Sequence, residues 1–177
     1  VRRQGGGGTT YLTRDGEITW GMIAPEQEFP DDVNKTYEKI CGEIAEGLSE
    51  IGIEAEHEPI NDVVTENGKI SGATLKQKDG VTYIGGTLIY EVQPEEMFEV
   101  LTPDQDKIAD KKIEKFEGRV TSVRKESDAS FDETIEILKK GLLKGKDYSN
   151  EELTEAEKEE AEDLADKYRS KEWLYRE

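Results

Sequence analysis

Apolar residues recur along this chain with two different spacings, and each spacing predicts a different kind of element. Between positions 33 and 51 they return every third or fourth residue, which is typical of one buried face of an α-helix. The helix is expected to begin after Asp31 or Asp32, whose carboxylates can cap it, and to end at Gly52. The positions that define this face are Val33, Tyr37, Ile40, Cys41, Ile44, Leu48 and Ile51.

Shorter apolar stretches separated by turn residues predict β-structure on both sides of that helix. The Asp15-Gly16 pair predicts a hairpin between a strand at Thr9–Leu12 and a strand at Ile18–Ala24. A type I′ turn is expected at Asn67-Gly68, which places Lys69 at the first position of a strand. The candidate strands after the helix are Ile53–Glu56, Asp62–Val64, Lys69–Leu75 and Val81–Glu91, with a turn at Lys78-Asp79-Gly80 before the last.

The remainder of the chain has helical periodicity. A short helix is expected at Pro94–Leu101, and capping boxes at Ser130/Glu133 and Ser149/Glu152 predict two longer helices. The apolar positions of these two helices are Phe131, Ile135, Leu138 and Leu142, then Leu153, Ala161, Leu164 and Tyr168. The run of Glu and Lys from Glu151 to Lys167 predicts a solvated helix face. The pattern as a whole predicts a single α+β domain over residues 1–177, with a mixed, largely antiparallel sheet flanked by helices and a helical C-terminal portion from about 128 to 177.

Charge narrows the classes of partner. The 177 residues carry a formal net charge of −18, with a pI near 4.5, which argues against nucleic acid and against an anionic membrane surface. No apolar run of membrane-spanning length and no signal-peptide pattern occurs, so a cytoplasmic protein is expected. The single cysteine, Cys41, excludes an intrachain disulfide framework and lies on the apolar helix face.

The first residues combine two arginines with four successive glycines. Arg2 and Arg3 offer planar cationic forks, and Gly5 through Gly8 leave backbone N–H groups open to a ligand. An anion cradle for a nucleotide is one interpretation, and a flexible linker is the other. Neither a P-loop nor a Rossmann glycine motif fits the spacing.

Three further motifs accompany this stretch in order: Asn61-Asp62, then Gly68-Lys69-Ile70-Ser71-Gly72, then Gly86-Thr87-Leu88. Together they resemble the lipoate–protein ligase family, within the biotin/lipoate A/B protein ligase superfamily. The resemblance spans most of the chain, and it implies a class II biotin/lipoyl ligase-like catalytic domain. The sequence differs from the family pattern at Gly5, where serine is usual, at Gly68, where arginine is usual, and at Gly85, where histidine is usual.

The resemblance also implies a reaction and a set of residues. The family joins lipoate to AMP, using ATP and Mg²⁺, and then passes the lipoyl group to a lysine of an acceptor domain in a 2-oxoacid dehydrogenase or glycine cleavage complex. Lys69 matches the family's catalytic lysine, between the acyl carbonyl and the α-phosphate, and Asp62 is a candidate Mg²⁺ contact. The residues that the resemblance assigns to ATP or lipoyl-AMP are Arg2, Arg3, Gly6, Gly7, Gly8, Thr9, Thr10, Tyr11, Asn61, Lys69, Gly72, Gly86 and Thr87.

Two other functions stay open at this point. One is an octanoyl or lipoyl acyltransferase that needs no ATP; a related branch uses a cysteine shortly before the Gly-x-Lys strand, and the segment Glu58–Asp62 has none. The other is a non-catalytic partner subunit that binds an acyl-adenylate. The family's segment before the two arginines has no counterpart here, so a missing N-terminal segment or a separate accessory domain is expected.

Overall fold

A computed structural model of the chain describes residues 10–101 and 120–175. The described residues fall into two compact units, one formed by residues 10–101 with 120–144 and the other by residues 145–175. The first unit contains the sheet and every described residue of the candidate site.

The first long element is the helix that the apolar spacing predicts. Helix α1 spans Val33–Ser49, and the Asp32 carboxylate caps it by accepting hydrogen bonds from the backbone N–H groups of Asn34 and Lys35. Such a cap stabilises a helix by about 1 kcal/mol. Gly52 follows the helix with a φ of +81°, a conformation that favours glycine. The predicted start of the helix is confirmed, but the helix ends at Ser49 instead of running to Gly52, because residues 50–52 form a turn and Ile51 lies in it.

Five strands form one sheet with the order β1-β5-β4-β3-β2, and every neighbouring pair is antiparallel. The predicted α+β class and its largely antiparallel sheet are confirmed. One isolated parallel bridge, between Lys69 and Val120, adds a further segment beside β4. The strands are β1 Glu17–Pro25, β2 Glu56–Glu58, β3 Asp62–Thr65, β4 Gly68–Lys78 and β5 Val81–Ile89.

Three local predictions differ from the structure. The described residues 10–12 are not a strand, and β1 pairs with the distant β5, because long-range sheet pairing overrides the local turn signal at Asp15-Gly16. The strand predicted at Ile53–Glu56 lies further along the chain, as β2 at Glu56–Glu58. Ile53 is buried in the core but belongs to no strand. The turn before β4 is centred on Glu66 and Asn67, and the positive φ of 129° falls on Gly68; Lys69 is therefore the second residue of β4 and not the first.

Helix α1 covers one face of the sheet, and the core lies between them. Ile40, Ile44 and Leu48 of α1 are each 1% exposed, and they pack in one cluster with Ile84 and Leu88 of β5. Burying side chains of this size contributes roughly 1.5–3 kcal/mol each. The opposite face of β1 and β5 is open, because the alternating residues Thr19, Ile23 and Tyr83 are exposed.

The described part of this unit contains a 3₁₀ helix at Glu26–Glu28 and three further α-helices: α2 Pro94–Val100, α3 Val123–Glu126 and α4 Phe131–Leu142. The capping box predicted at Ser130 and Glu133 is present at the start of α4. Helix α4 packs closely on α1, since a Cβ on Gly47 would lie 2.8 Å from the carbonyl oxygen of Ile137. Within the described ranges, no helix combines the length and the apolar character needed to cross a lipid bilayer.

The second unit consists of helices α5 Glu155–Arg169 and α6 Lys171–Leu174. The capping box predicted at Ser149 and Glu152 is wrong, because Thr154 and Glu157 form an equivalent box five residues later and begin α5 there. No residue of α5 is buried, so the predicted solvated face is confirmed. Tyr168 packs edge-on against Trp173, with 4.8 Å between ring centroids.

Candidate functional site

A row of four small or polar residues crosses the open face of the sheet. Thr19 of β1 pairs with Thr87 of β5, Thr87 with Gly72 of β4, and Gly72 with Asp62 of β3. Directly paired residues of antiparallel strands project from the same face. All four therefore lie opposite the core, where the neighbouring pair Ile18–Leu88 is buried.

A β-bulge brings Lys69 onto that same face. Lys69 precedes Gly72 by three residues, and in a regular strand such residues point to opposite faces. Here Val63 pairs with Ser71 but Val64 pairs with Lys69, so Ile70 is an extra residue in β4. A bulge of this kind re-aims a side chain. Ile70 is buried in the core, and the Lys69 side chain extends over Gly72.

Lys69 and Asp62 form the ion pair at the centre of the site. Lys69 Nζ lies 2.6 Å from Asp62 Oδ1, and the two side chains keep 38% and 27% of their exposure. The pair lies directly over Gly72, since a Cβ there would be 2.7 Å from Lys69 Nζ. Because Gly72 has no side chain, the space above it is open to a ligand. A partly exposed ammonium there can offset negative charge on a ligand oxygen.

Asn61 holds the start of β3 against β4. Its side-chain Nδ2 donates to the carbonyl oxygen of Ala73, and the Ala73 backbone N–H donates to the Asn61 carbonyl oxygen at 2.9 Å. This double connection fixes the residue that immediately precedes Asp62. The structure therefore shows the Asn61 amide bonding within the sheet.

The glycines near Thr87 have different surroundings. A Cβ on Gly86 would overlap the carbonyl oxygen of Gly72, so strands β4 and β5 approach too closely for any side chain there. A Cβ on Gly85 would meet the Tyr83 hydroxyl at 2.5 Å. The Tyr83 ring thus covers the position where a side chain at residue 85 would begin, a feature that the sequence motifs do not indicate.

The sequence profile of the lipoyl protein ligase A/B catalytic domain matches residues 1–143. The chain belongs to this family. An octanoyltransferase LipM of Staphylococcus aureus is 27% identical over 99% of this chain and 74% of its own length. A lipoate–protein ligase 2 of S. aureus is 29% identical over 99% of this chain and 53% of its own length.

Solved structures of similar proteins support the same fold for this member of the lipoyl ligase A/B family. A bi-partite lipoate protein ligase from Thermoplasma acidophilum, solved in a study that includes its E2 lipoyl domain, has a TM-score of 0.75 at 24% identity. The match covers 89% of this chain and 63% of that one. A lipoate-protein ligase A bound with ATP has a TM-score of 0.71 at 21% identity, with 89% and 64% covered. The chain thus spans less than two thirds of these solved proteins.

The glycine-rich segment that the sequence predicts to bind a nucleotide lies outside the described residues. Arg2, Arg3, Gly6, Gly7, Gly8 and Thr9 lie outside the described residues, as does the expected approach of their backbone amides to Lys69. Thr10 is exposed. Tyr11 lies beside Glu96 of α2, and partial burial, followed by the Glu96 carboxylate, raises the pKa of its hydroxyl. The structure brings together Asn61, Asp62, Lys69, Gly72, Gly86 and Thr87.

The sole cysteine of this lipoyl ligase A/B family member is unsuited to nucleophilic chemistry. Cys41 is 1% exposed on α1. Burial raises the pKa of the Cys41 thiol to about 12, with the Asp62 carboxylate raising it further and the Lys69 ammonium lowering it. The reactive thiolate form is therefore strongly disfavoured at neutral pH.

Metal ligands are sparse in the described part of the site. Residues 10–101 and 120–175 contain no group of three or more His, Cys, Asp or Glu side chains arranged to hold a metal ion. Asp62 is the one carboxylate in the row across the open face, and its Oδ1 already bonds Lys69. These donors fit a Mg²⁺ ion that arrives with nucleotide phosphates better than a metal that the protein holds alone.

Proposed function

We propose that this chain activates lipoate with ATP to form lipoyl-AMP and transfers the lipoyl group to a lysine of a lipoyl acceptor domain. The observation that carries the proposal is the Lys69 ammonium, held by Asp62 over Gly72 on the open face of the sheet. The family membership and the ATP-bound structural relative support the same chemistry.

In the first step, a lipoate carboxylate oxygen attacks the α-phosphorus of ATP, and the bond to the bridging oxygen of pyrophosphate breaks. Negative charge builds on the α-phosphate while the lipoate carboxylate loses its own. A single mobile ammonium suits this change, because Lys69 can follow the charge from one oxygen to the other. Asp62 would keep the ammonium in place before the substrates bind, and Mg²⁺ would accompany the phosphates and offset their charge.

In the second step, the amine of the acceptor lysine attacks the carbonyl carbon of the mixed anhydride. An amide bond forms, the carbonyl–phosphate bond breaks, and AMP leaves with the electron pair while the amine loses a proton. Lys69 would stabilise the oxyanion of the tetrahedral intermediate. We propose that the acceptor is the lipoyl domain of a 2-oxoacid dehydrogenase or the corresponding protein of glycine cleavage, and that the reaction takes place in the cytoplasm.

An octanoyl or lipoyl transferase that needs no ATP is the second candidate. It is favoured by the octanoyltransferase LipM of S. aureus, whose match covers 99% of this chain and 74% of its own length. Against a cysteine-thioester route stands Cys41, which is buried and strongly resistant to ionisation.

Lipoate-dependent exchange of label between pyrophosphate and ATP distinguishes the two candidates. We expect the purified chain to exchange label only when lipoate and Mg²⁺ are present. Transfer of octanoate from an acyl carrier to a lipoyl domain, without exchange, would establish the second candidate. Tight binding of lipoyl-AMP with neither reaction would show that the chain is a binding subunit that needs a further domain or polypeptide.

Cys41 provides an independent prediction. At pH 9, near the ordinary thiol pKa of 9.0, native Cys41 should stay protonated and react with an aromatic disulfide only as the protein unfolds. Cys41→Ala should lose about 1 kcal/mol of stability and keep full turnover. Rapid labelling of the native thiol, or loss of turnover in a folded Cys41→Ala variant, would restore the thioester route.

A further inference from the structure

Glu126 binds donors from two separate segments of the chain. Its Oε1 accepts a hydrogen bond from Thr65 Oγ1 at 3.2 Å and one from Thr121 Oγ1 at 2.6 Å. Its Oε2 accepts from Asn67 Nδ2 at 3.0 Å. Hydrogen bonds to a carboxylate are charge-assisted, and they are stronger than bonds between two neutral groups. Glu126 therefore joins the turn before β4 to the segment at residues 120–121.

Both of these segments hold the backbone of Lys69. Thr65 pairs with Gly68, the residue that precedes Lys69 in β4. On the other side of the strand, the Thr121 backbone N–H donates to the Lys69 carbonyl oxygen at 2.9 Å. The main chain of Lys69 is thus held between the two elements that the Glu126 carboxylate connects.

Burial makes this connection costly to lose. Thr121 is fully buried, so its hydroxyl has no access to water that could replace the Glu126 carboxylate. A buried donor left without an acceptor is destabilising, and the surrounding backbone would move to relieve it. Because the Thr121 backbone N–H itself bonds to the Lys69 carbonyl oxygen, such a movement would reach the Lys69 main chain.

We propose that Glu126 is a positioning residue for Lys69. It fixes the main chain on both sides of Lys69, and so keeps the ammonium over Gly72 and beside Asp62. Glu126 acts through hydrogen bonds to the two segments that hold the Lys69 main chain, and it does not itself contact the substrate. The inference rests on the proposed role of Lys69 in adenylate formation.

Kinetics of four variants test the proposal. Glu126→Ala should lower kcat for lipoyl-AMP formation by roughly tenfold with little change in KM, because a displacement of about 1 Å in a reacting group costs up to ~100-fold. Glu126→Gln keeps one acceptor oxygen for the threonine hydroxyls and should recover most of kcat. Thr121→Val should reproduce part of the Glu126→Ala loss, and Thr121→Ser, which keeps the hydroxyl, should restore it.

The matched control is Glu133→Ala, which removes a carboxylate that accepts bonds from the Ser130 hydroxyl and backbone N–H at the start of α4. This variant is expected to have a lower free energy of unfolding than the wild type. Its kcat should be unchanged at a temperature where the variant and the wild type are both folded. An equal fall in kcat for Glu126→Ala and Glu133→Ala would overturn the proposal, because the effect would then be one of general stability.

Chemical labelling of Lys69 gives a readout that needs no turnover. A water-soluble succinimidyl ester followed by mass spectrometry measures the reactivity of Lys69 relative to Lys76 on the same strand. In Glu126→Ala the Lys69 amine should react several-fold faster, since it is less firmly held by Asp62, and Glu133→Ala should match the wild type. An unchanged Lys69 rate in Glu126→Ala refutes the positioning role. A wild-type chain without adenylation activity would refute the proposed function and leave the labelling comparison valid.

Discussion

Replacing Lys69 with methionine is expected to slow lipoyl-AMP formation by about 10²–10³-fold, the loss associated with removing one preorganised charge donor. Methionine keeps most of the apolar stem and removes only the ammonium. The effect should fall on kcat more than on KM, because the charge is needed most when the α-phosphate is attacked. Single-turnover formation of lipoyl-AMP, followed by rapid quench, measures it without interference from product release.

Lys76→Met is the matched control for this substitution. Lys76 lies on the same strand and is exposed, so it undergoes the same change of charge and volume away from the ion pair. Its kinetics should equal those of the wild type. If Lys69→Met and Lys76→Met form lipoyl-AMP equally fast, Lys69 does not participate and the proposed mechanism is wrong.

Gly72→Ala should damage activity while leaving the fold almost intact. The added methyl would lie 2.7 Å from Lys69 Nζ and 3.3 Å from Asp62 Oδ1, so the ammonium must move away. A flexible lysine end can move at little cost, and we expect a stability change below about 1 kcal/mol. The rate of adenylate formation should fall roughly 10- to 100-fold, because the catalytic group is displaced. Urea unfolding and single-turnover kinetics on the same sample measure both quantities.

Gly86→Ala, by contrast, should destabilise the fold. Its methyl would overlap the backbone of β4 and lie 3.0 Å from the Cα of Ala73, so two strands must separate. We expect a loss of about 1–3 kcal/mol in the free energy of unfolding. Gly42→Ala is the control for the methyl itself: apart from the adjoining backbone of α1, no atom lies within 4 Å of a Cβ there, and α1 should gain about 0.5–1 kcal/mol. Equal stability of Gly72→Ala and Gly86→Ala would contradict the proposed difference between the two glycines.

The fold follows from the sequence where local signals and burial agree. The apolar face and the Asp32 cap of α1 are readable because one period of 3.6 residues extends over five turns. The turn at Asp79-Gly80 is equally clear, because an Asp-Gly pair favours a turn in which both central residues have positive φ. The structure shows positive φ values at both residues. Such local features depend on few distant residues.

The failures occur where distant contacts decide the structure. The signal at Asp15-Gly16 does produce a turn, with Asp15 at a φ of +64°, but the strand that follows pairs with β5, some 60 residues away. The sequence predicts the start of α5 too early, because two capping-box patterns occur within a few residues of each other. Their propensities are too similar for sequence alone to choose between them.

The candidate site shows the same division. Resemblance to a family of ligases identifies Asp62, Lys69 and Gly72, and the structure brings these three residues into contact. The bulge at Ile70 could not be inferred because it depends on the register between two strands. The bonds of Glu126 to Thr65 and Asn67 could not be inferred because these partners are 61 and 59 positions distant. The sequence motifs name the chemical groups, and the pairing of the strands sets their geometry.

The extra residue at Ile70 also limits how this enzyme can be engineered. If β4 kept its length but paired regularly with β3, Lys69 and Gly72 would be three residues apart without a bulge, and the ammonium would point into the hydrocarbon interior. Grafts from related proteins should therefore exchange β3 and β4 together, from Asp62 to Gly72. A strand taken from a protein that lacks the bulge would place its side chains on the opposite face of the sheet.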